Sequence, residues 1–172
     1  MANLIRRGRI RNENWKLLDA AALQAWLADG AAGEAEASGV LIPLALWREH
    51  DERLAETCSF GVVLAADEDC GALAGQLDRI PVVAIQFARF ADGRGYSSAR
   101  LLRGRYRYRG ELRAIGEVLI DQLFYMKRVG FDAFELRADQ DPAVALKAFG
   151  TFSECYQAAV EPALPLFRRR AA

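Results

Sequence analysis

The stretch from Pro81 to Ile115, PVVAIQFARFADGRGYSSARLLRGRYRYRGELRAI, decides the fold. It opens on an apolar run, passes a glycine-marked turn at Asp92, Gly93, Arg94 and Gly95, and reaches a paired serine, Ser97 and Ser98. The serines read as a helix start, because a hydroxyl at that place accepts a free backbone N–H. Arg100, Arg103 and Arg107 then stand three and four residues apart, on one face of the predicted helix. A second apolar run, Glu111–Ile115, follows. Strand, loop, helix and strand, with strands apolar on both faces, are what a parallel sheet covered by helices requires.

The same alternation extends both ways from this unit. Upstream, GVLIPL is a short strand ended by Pro43, and Leu44–Thr57 is a helix carrying Leu46, Trp47 and Leu54 on one side. FGVVLAA (60–66) is a second strand, followed by the acidic Asp67, Glu68 and Asp69 at a helix N-terminus, with Leu73, Leu77 and Ile80 as the stripe of that helix. Downstream, Glu117–Val129 reads as a helix that buries Leu119, Leu123 and Met126, half-covers Phe124 and is closed by Gly130. Phe131–Leu136 is a strand, and Asp141 with Pro142 starts a helix to about Phe149. The expected fold is α/β, a mainly parallel sheet of about five strands (39–42, 60–65, 82–87, 112–115 and 132–136) flanked by helices. Periodicity leaves open whether the sheet is open or a half-barrel, while a complete eight-unit barrel needs about 200 residues or more. Residues 1–38 read as an appendage, with a hairpin or two small edge strands in 4–18, a helix capped by Asp19 and a loop from Gly30 to Gly39. Residues 39–160 form the α/β domain, and 161–172, with Pro162, Pro165 and Arg168–Arg170, form a tail.

Composition bounds the function classes. The 172 residues suit one domain with a real core, and 52% hydrophobic against 27% charged residues is a globular balance. The formal net charge is zero, so no global field draws nucleic acid or a membrane surface. Only Lys16, Lys127 and Lys147 are lysines among 23 basic residues, as an arginine-biased genome would produce. Cys58, Cys70 and Cys155 are odd in number and lack C-x-x-C spacing, which fits inert thiols in a reducing cytoplasm. The single histidine, His50, speaks against a histidine-rich metal site. The N-terminus has no apolar run behind its charges and no apolar run reaches about 18 residues, so neither a signal peptide nor a membrane span is expected.

The candidate site is the loop and helix after strand 81–87. Gly93 and Gly95 permit positive φ and close approach to an anion, Ser97 or Ser98 caps the helix, and Arg94 adds a two-point contact. The alternative reading is a turn and a cap with no ligand. G-x-G-x-x-S also resembles the dinucleotide fingerprint, without its third glycine. The arginine face reads as a solvated surface, an interface, a ligand site, or an ion-pair layer with Glu117 and Asp121. Those two carboxylates read first as a solvated pair and second as a general acid and base. Tyr96, Tyr106 and Tyr108 interleave with arginines as in single-strand binders, but the zero net charge and the α/β pattern speak against nucleic acid. No flavin or nicotinamide motif of quality, iron–sulfur cysteine set or haem ligand pair stands out, so the residues name no cofactor and no reaction.

Residues 91–136 carry a resemblance. The series D-G-R-G-Y-S-x-A-R-x-L-R from Asp92 to Arg103, the Asp121-Gln122-Leu123 triplet and the G-F-D-x-F piece from Gly130 to Phe134 resemble the bacterial family called domain of unknown function 934. The likeness is specific over Ile80–Leu136. It implies a protein that accompanies sulfite reductase and other sulfate-assimilation proteins and is often labelled a probable oxidoreductase. It places Asp92, Arg94, Ser97, Arg100, Arg103, Asp121 and Gln122 at the functional or structural centre. The expected function is an accessory protein of assimilatory sulfite or sulfate reduction. It would bind an oxyanion, a nucleotide or a partner enzyme through Asp92, Gly93, Arg94, Gly95, Ser97, Ser98, Arg100 and Arg103, supported by Asp121 and Gln122. The alternatives are a small-molecule oxidoreductase or other enzyme at the same loop, and a structural dimer or adaptor with no ligand.

Overall fold

The computed structural model describes residues 3–13, 15–28, 39–54 and 60–169. Cys58, the loop from Gly30 to 38, the end of the helix expected to reach Thr57, and Arg170 lie outside them. The chain runs β1 (Leu4–Arg6), β2 (Arg9–Arg11), β3 (Trp15–Leu17), α1 (Ala20–Ala28), β4 (Gly39–Pro43), α2 (Leu44–Leu54), β5 (Phe60–Leu64) and β6 (Val82–Phe87). It continues with α3 (Arg94–Gly104), β7 (Glu111–Gly116), α4 (Leu123–Val129), β8 (Ala133–Glu135), α5 (Pro142–Ala148) and α6 (Leu166–Arg169). Among the described residues no helix is long and apolar enough to cross a membrane.

All strands join one sheet of order β2-β1-β8-β7-β6-β5-β4-β3. The expected five strands are present as β4 to β8, parallel and in sequential order. The expectation of about five parallel strands is nonetheless corrected: the sheet has eight strands and is mixed. The three additional strands come from the N-terminal segment, which is built into the sheet rather than appended to it. β1 pairs antiparallel with β8, and β2 with β1, while β3 pairs parallel with β4 at the opposite edge. Each is three residues long, too short to show a period, and only the pairing partner makes it a strand.

The sheet is open and curled, a half-barrel. Sequential parallel strands joined by right-handed crossovers place their helices on one face. The N-terminal segment shows how far the curl goes. In a flat sheet β2 and β3 would lie about 34 Å apart, at about 4.8 Å per strand spacing. Yet the chain from Arg11 to Trp15 reaches at most about 14 Å. The two edges must therefore approach each other.

The outer face packs under the helices in the main core, where Val40, Val62, Val83, Leu112 and Phe134 are buried with Trp47, Leu102 and Leu123. The inner face holds a second, smaller cluster of Leu41, Val63, Ala84 and Ile115, with Trp15 packed against it. Local rules hold where they were read. Asp19 accepts from the backbone of Ala22 at 2.8 Å, and Asp141 caps α5 through Ala143, with Pro142 in the first turn. Gly130 closes α4 in the left-handed region at φ 114°.

Two helices differ from expectation. Leu73, Leu77 and Ile80 are buried, but Leu73 and Leu77 sit on two 3-10 turns, Cys70–Leu73 and Leu77–Arg79, the first capped by Asp69, and Ile80 is the extended residue after the second. The helix expected over 117–129 is a 3-10 turn, Ile120–Gln122, leading into α4. Leu123 and Met126 are buried as expected, Phe124 is half-covered, and Leu119 is half-covered too, because it lies in the irregular stretch before the turn.

Candidate functional site

The loop after β6 folds onto its own charges. The Asp92 carboxylate accepts from the Arg94 backbone N–H at 3.2 Å, from Nε at 2.9 Å and from Nη2 at 2.7 Å. These bonds hold the Asp92 carboxyl down to about 2. Helix α3 therefore starts at Arg94 with Gly93 as its N-cap, four residues earlier than a cap at Ser97 predicts, and an internal carboxylate already sits at its start. Gly93 has φ −83°, so it is not in the left-handed region. Gly95 is inside the helix and buried, and its role is close approach. A Cβ there would meet Phe87 Cζ at 2.8 Å and Ile85 Cγ2 at 3.0 Å, so the missing side chain lets α3 lie on β6.

The other predicted residues divide sharply. Ser97 is exposed, whereas Ser98 is half-buried and bonds the Cys70 thiol, which burial pushes up. Arg100 is exposed and has no ion pair among the described residues. Arg103 is a structural staple. Its Nε donates to Gly130 O at 2.9 Å, Nη1 to Tyr108 O and Gly110 O at 2.8 Å, and Nη2 pairs with Asp132 at 3.2 Å. Gln122 is buried, accepts from Leu119 N at 3.1 Å and donates to Phe90 O at 3.3 Å. It ties the loop after β6 to the turn after β7, so the Asp92 and Asp121–Gln122 pieces are brought together. Asp121 is exposed beside the Tyr96 phenol, whose proton burial and that charge hold more tightly. Glu117 and Asp121 do not share a helix face. Glu117 pairs instead with Arg137 at 2.8 Å, so no ion-pair layer forms against α3.

The inner face of the sheet holds a second constellation, which the sequence reading left outside the site. Alternation along β7 puts Leu112 and Ala114 into the main core and turns Glu111, Arg113 and Ile115 inward. Arg113 is 0% exposed and Glu111 3%. Arg113 Nε donates to Glu111 Oε1 at 2.8 Å, and Nη2 lies 2.6 Å from the same oxygen. Arg6 on β1 takes Glu111 Oε2 at 2.6 Å and Glu13 Oε1 at 3.1 Å. Glu13, between β2 and β3, also accepts from the Trp15 indole at 3.1 Å and lies 4.0 Å from Arg113 Nη2. Burial pushes the Glu13 carboxyl up, but Trp15, Arg6 and Arg113 outweigh it and leave it below the usual range. Trp15 lies flat over the guanidinium, its ring centroid 4.3 Å from Arg113 Cζ. Arg113 Nη1 is buried and has no acceptor among the described residues.

A cavity of about 420 Å³ opens at this point, walled by Glu13, Trp15, Arg113, Glu135, Leu136 and Arg137 among others. Gly116 ends β7, and Leu136 and Arg137 follow β8, so the cavity lies at the C-terminal ends of these strands, where parallel α/β folds place their ligands. Glu135 keeps solvent access at the rim. Desolvation by the wall still pushes its carboxyl up, against the pull of Arg113. That carboxyl has no hydrogen bond or ion pair among the described residues. Two charged residues at alternate positions of an apolar strand, Glu111 and Arg113, were the signal for this site in the sequence. Glu13 and Trp15 carry no such signal, because they are about a hundred positions away.

No curated protein matches the chain. The family model described as "Bacterial protein of unknown function (DUF934)" matches residues 61–167, from β5 to α6. This span covers more than half of the chain and includes Arg113, Glu135 and the Asp92–Arg103 series, and the chain belongs to that family.

Proposed function

We propose that the protein is an accessory protein of assimilatory sulfite or sulfate reduction that binds a small anion in the mouth of its half-barrel. One observation carries the anion reading: the buried guanidinium of Arg113 keeps Nη1 without an acceptor beside a cavity at the C-terminal ends of the strands. A buried donor left unpaired costs free energy, so an acceptor supplied by a ligand is stabilising. The link to sulfur metabolism rests on the family resemblance alone. Under this reading an oxyanion or nucleotide sulfate sits at Arg113, while Arg94, held by Asp92, stays outside the site. Calorimetry with sulfate, sulfite and adenosine phosphosulfate tests it. Wild type and Arg94→Ala should bind alike. The pair Glu111→Leu with Arg113→Met removes both buried charges together, which spares the fold an orphaned one, and should lose affinity at least about tenfold. Equal affinity in the double variant removes Arg113 from the site.

A second reading concerns a partner, either an enzyme of sulfite reduction or a second copy of the chain. Arg100 is unpaired among the described residues, and Leu101 beside it is 41% exposed. Such a face suits docking better than small-molecule binding. Sedimentation of wild type and Arg100→Glu, alone and with sulfite reductase, checks it: an association present in the first and absent in the second supports the reading.

A further inference from the structure

The geometry points to a zwitterion of amino-acid type as the ligand of the Arg113 cavity, its carboxylate on Arg113 and its ammonium on Glu135. This deepens the anion reading and rests on it. The cavity holds two groups of opposite charge that do not satisfy each other. Among the described residues Arg113 Nη1 lacks an acceptor, and the Glu135 carboxyl lacks a donor. They stand on neighbouring strands: Arg113 is opposite Ala133, so Glu135 lies one step along the same inward face. Strand spacing and rise put their Cα atoms roughly 8 Å apart, and Arg113 is held back by Glu111 and Trp15, so the two side chains do not hydrogen-bond. A ligand bearing an acceptor and a donor on adjacent carbons bridges such a gap. A bare oxyanion answers only Arg113 and meets Glu135 as a like charge.

The remaining charges agree. Arg6 and Arg113 are balanced by Glu13 and Glu111 in one paired network, so Glu135 is the carboxylate of this face that a cation has yet to answer. Arg137, the other cation in the wall, is engaged by Glu117 and Asp139. The cavity of about 420 Å³ is within the range of metabolite sites and is far larger than sulfate needs. Leu4, Trp15 and Leu136 supply an apolar wall for a small side chain.

The test uses the full chain and calorimetry with the twenty standard L-amino acids, with acetate, sulfate and methylammonium as single-charge controls. At least one amino acid should bind about tenfold or more tightly than acetate and methylammonium. Glu135→Gln, which removes a charge with no partner to orphan, should weaken that amino acid about tenfold and leave acetate and sulfate equal or tighter. The pH dependence should differ in sign. Lowering the pH protonates Glu135, which weakens the amino acid and strengthens acetate, with Arg113, Glu111, Arg6, Glu13 and Arg137 as the other charged groups facing it. Amino acids that bind no better than acetate, or a Glu135→Gln variant that loses both equally, overturn the zwitterion while anion binding stands. Loss of sulfate and amino acids alike in wild type overturns the anion reading with it.

Discussion

Asp92 with Arg94 and Glu111 with Arg113 are the same sequence feature, a carboxylate two residues before an arginine. In the loop the pair is exposed, and Asp92 wraps the backbone and side chain of Arg94 at a helix start. In β7 the spacing of two places both groups on one side of a strand, turned into the half-barrel and away from water. The exposed pair is screened by solvent and salt and adds little. The buried pair is part of a network with Arg6 and Glu13, and losing either member leaves a buried charge under-compensated. Placement, not residue type, separates an ornament of the surface from a constraint on the core.

The largest way to break this comparison is Arg113→Ala. It strips buried Glu111 of one of its two guanidinium partners, leaving Arg6, and should cost about 3 kcal/mol in urea melts, the low end for breaking a buried pair, whereas the double change Glu111→Leu with Arg113→Met should recover most of it. A single variant as stable as wild type would mean that water reaches Glu111 freely. Leu123→Ala calibrates that loss against ordinary core packing. Leu123 is fully buried, and the truncation should cost about 2–5 kcal/mol. Gly95→Ala sharpens the loop side, since the new methyl meets Phe87 and Ile85. A loss of about 1–3 kcal/mol is expected, and an unchanged midpoint would show that α3 can lift off β6 at no cost.

The smallest effects are in pH dependence, and they have opposite signs in the two regions. Asp92 is held down to about 2, so its contribution is present above the unfolded value and is lost as the pH falls towards about 2. Glu135 is pushed up, so its contribution is present below the unfolded value and is lost as the pH rises through the folded one. Asp92→Asn should therefore flatten the acid limb of a melting-temperature profile. Glu135→Gln should instead raise the neutral end. Added salt should shrink the first effect more than the second.

Much of the fold was legible. Each of β4 to β8 is an apolar run bounded by turn residues, and caps such as Asp19, Asp141 and Gly130 act within a few positions of themselves. The closeness of Asp92 and Gln122 was implied by the shared family series but not derivable from spacing, since the Gln122 bond to Phe90 O joins two separate loops. The start of α3 lies earlier than Ser97 and Ser98 suggest, because Gly93 is its N-cap and the Asp92 carboxylate holds the first residue, Arg94, through its backbone and side chain.

By itself, then, the sequence determined the local part: which segments are strands or helices, and the α/β class that their alternation requires. Tertiary structure alone decided where β1, β2 and β3 go. Strands of three residues carry no period, and their edges are chosen by hydrogen-bonding partners more than a hundred positions away for β1 and by the reach of the chain for β3. That choice sets Glu13 and Trp15 over Arg113. Curling of the sheet, a property of how sequential parallel strands and their one-sided helices pack, turned an arginine of β7 that sequence alone placed in no site into the centre of the molecule's inner face.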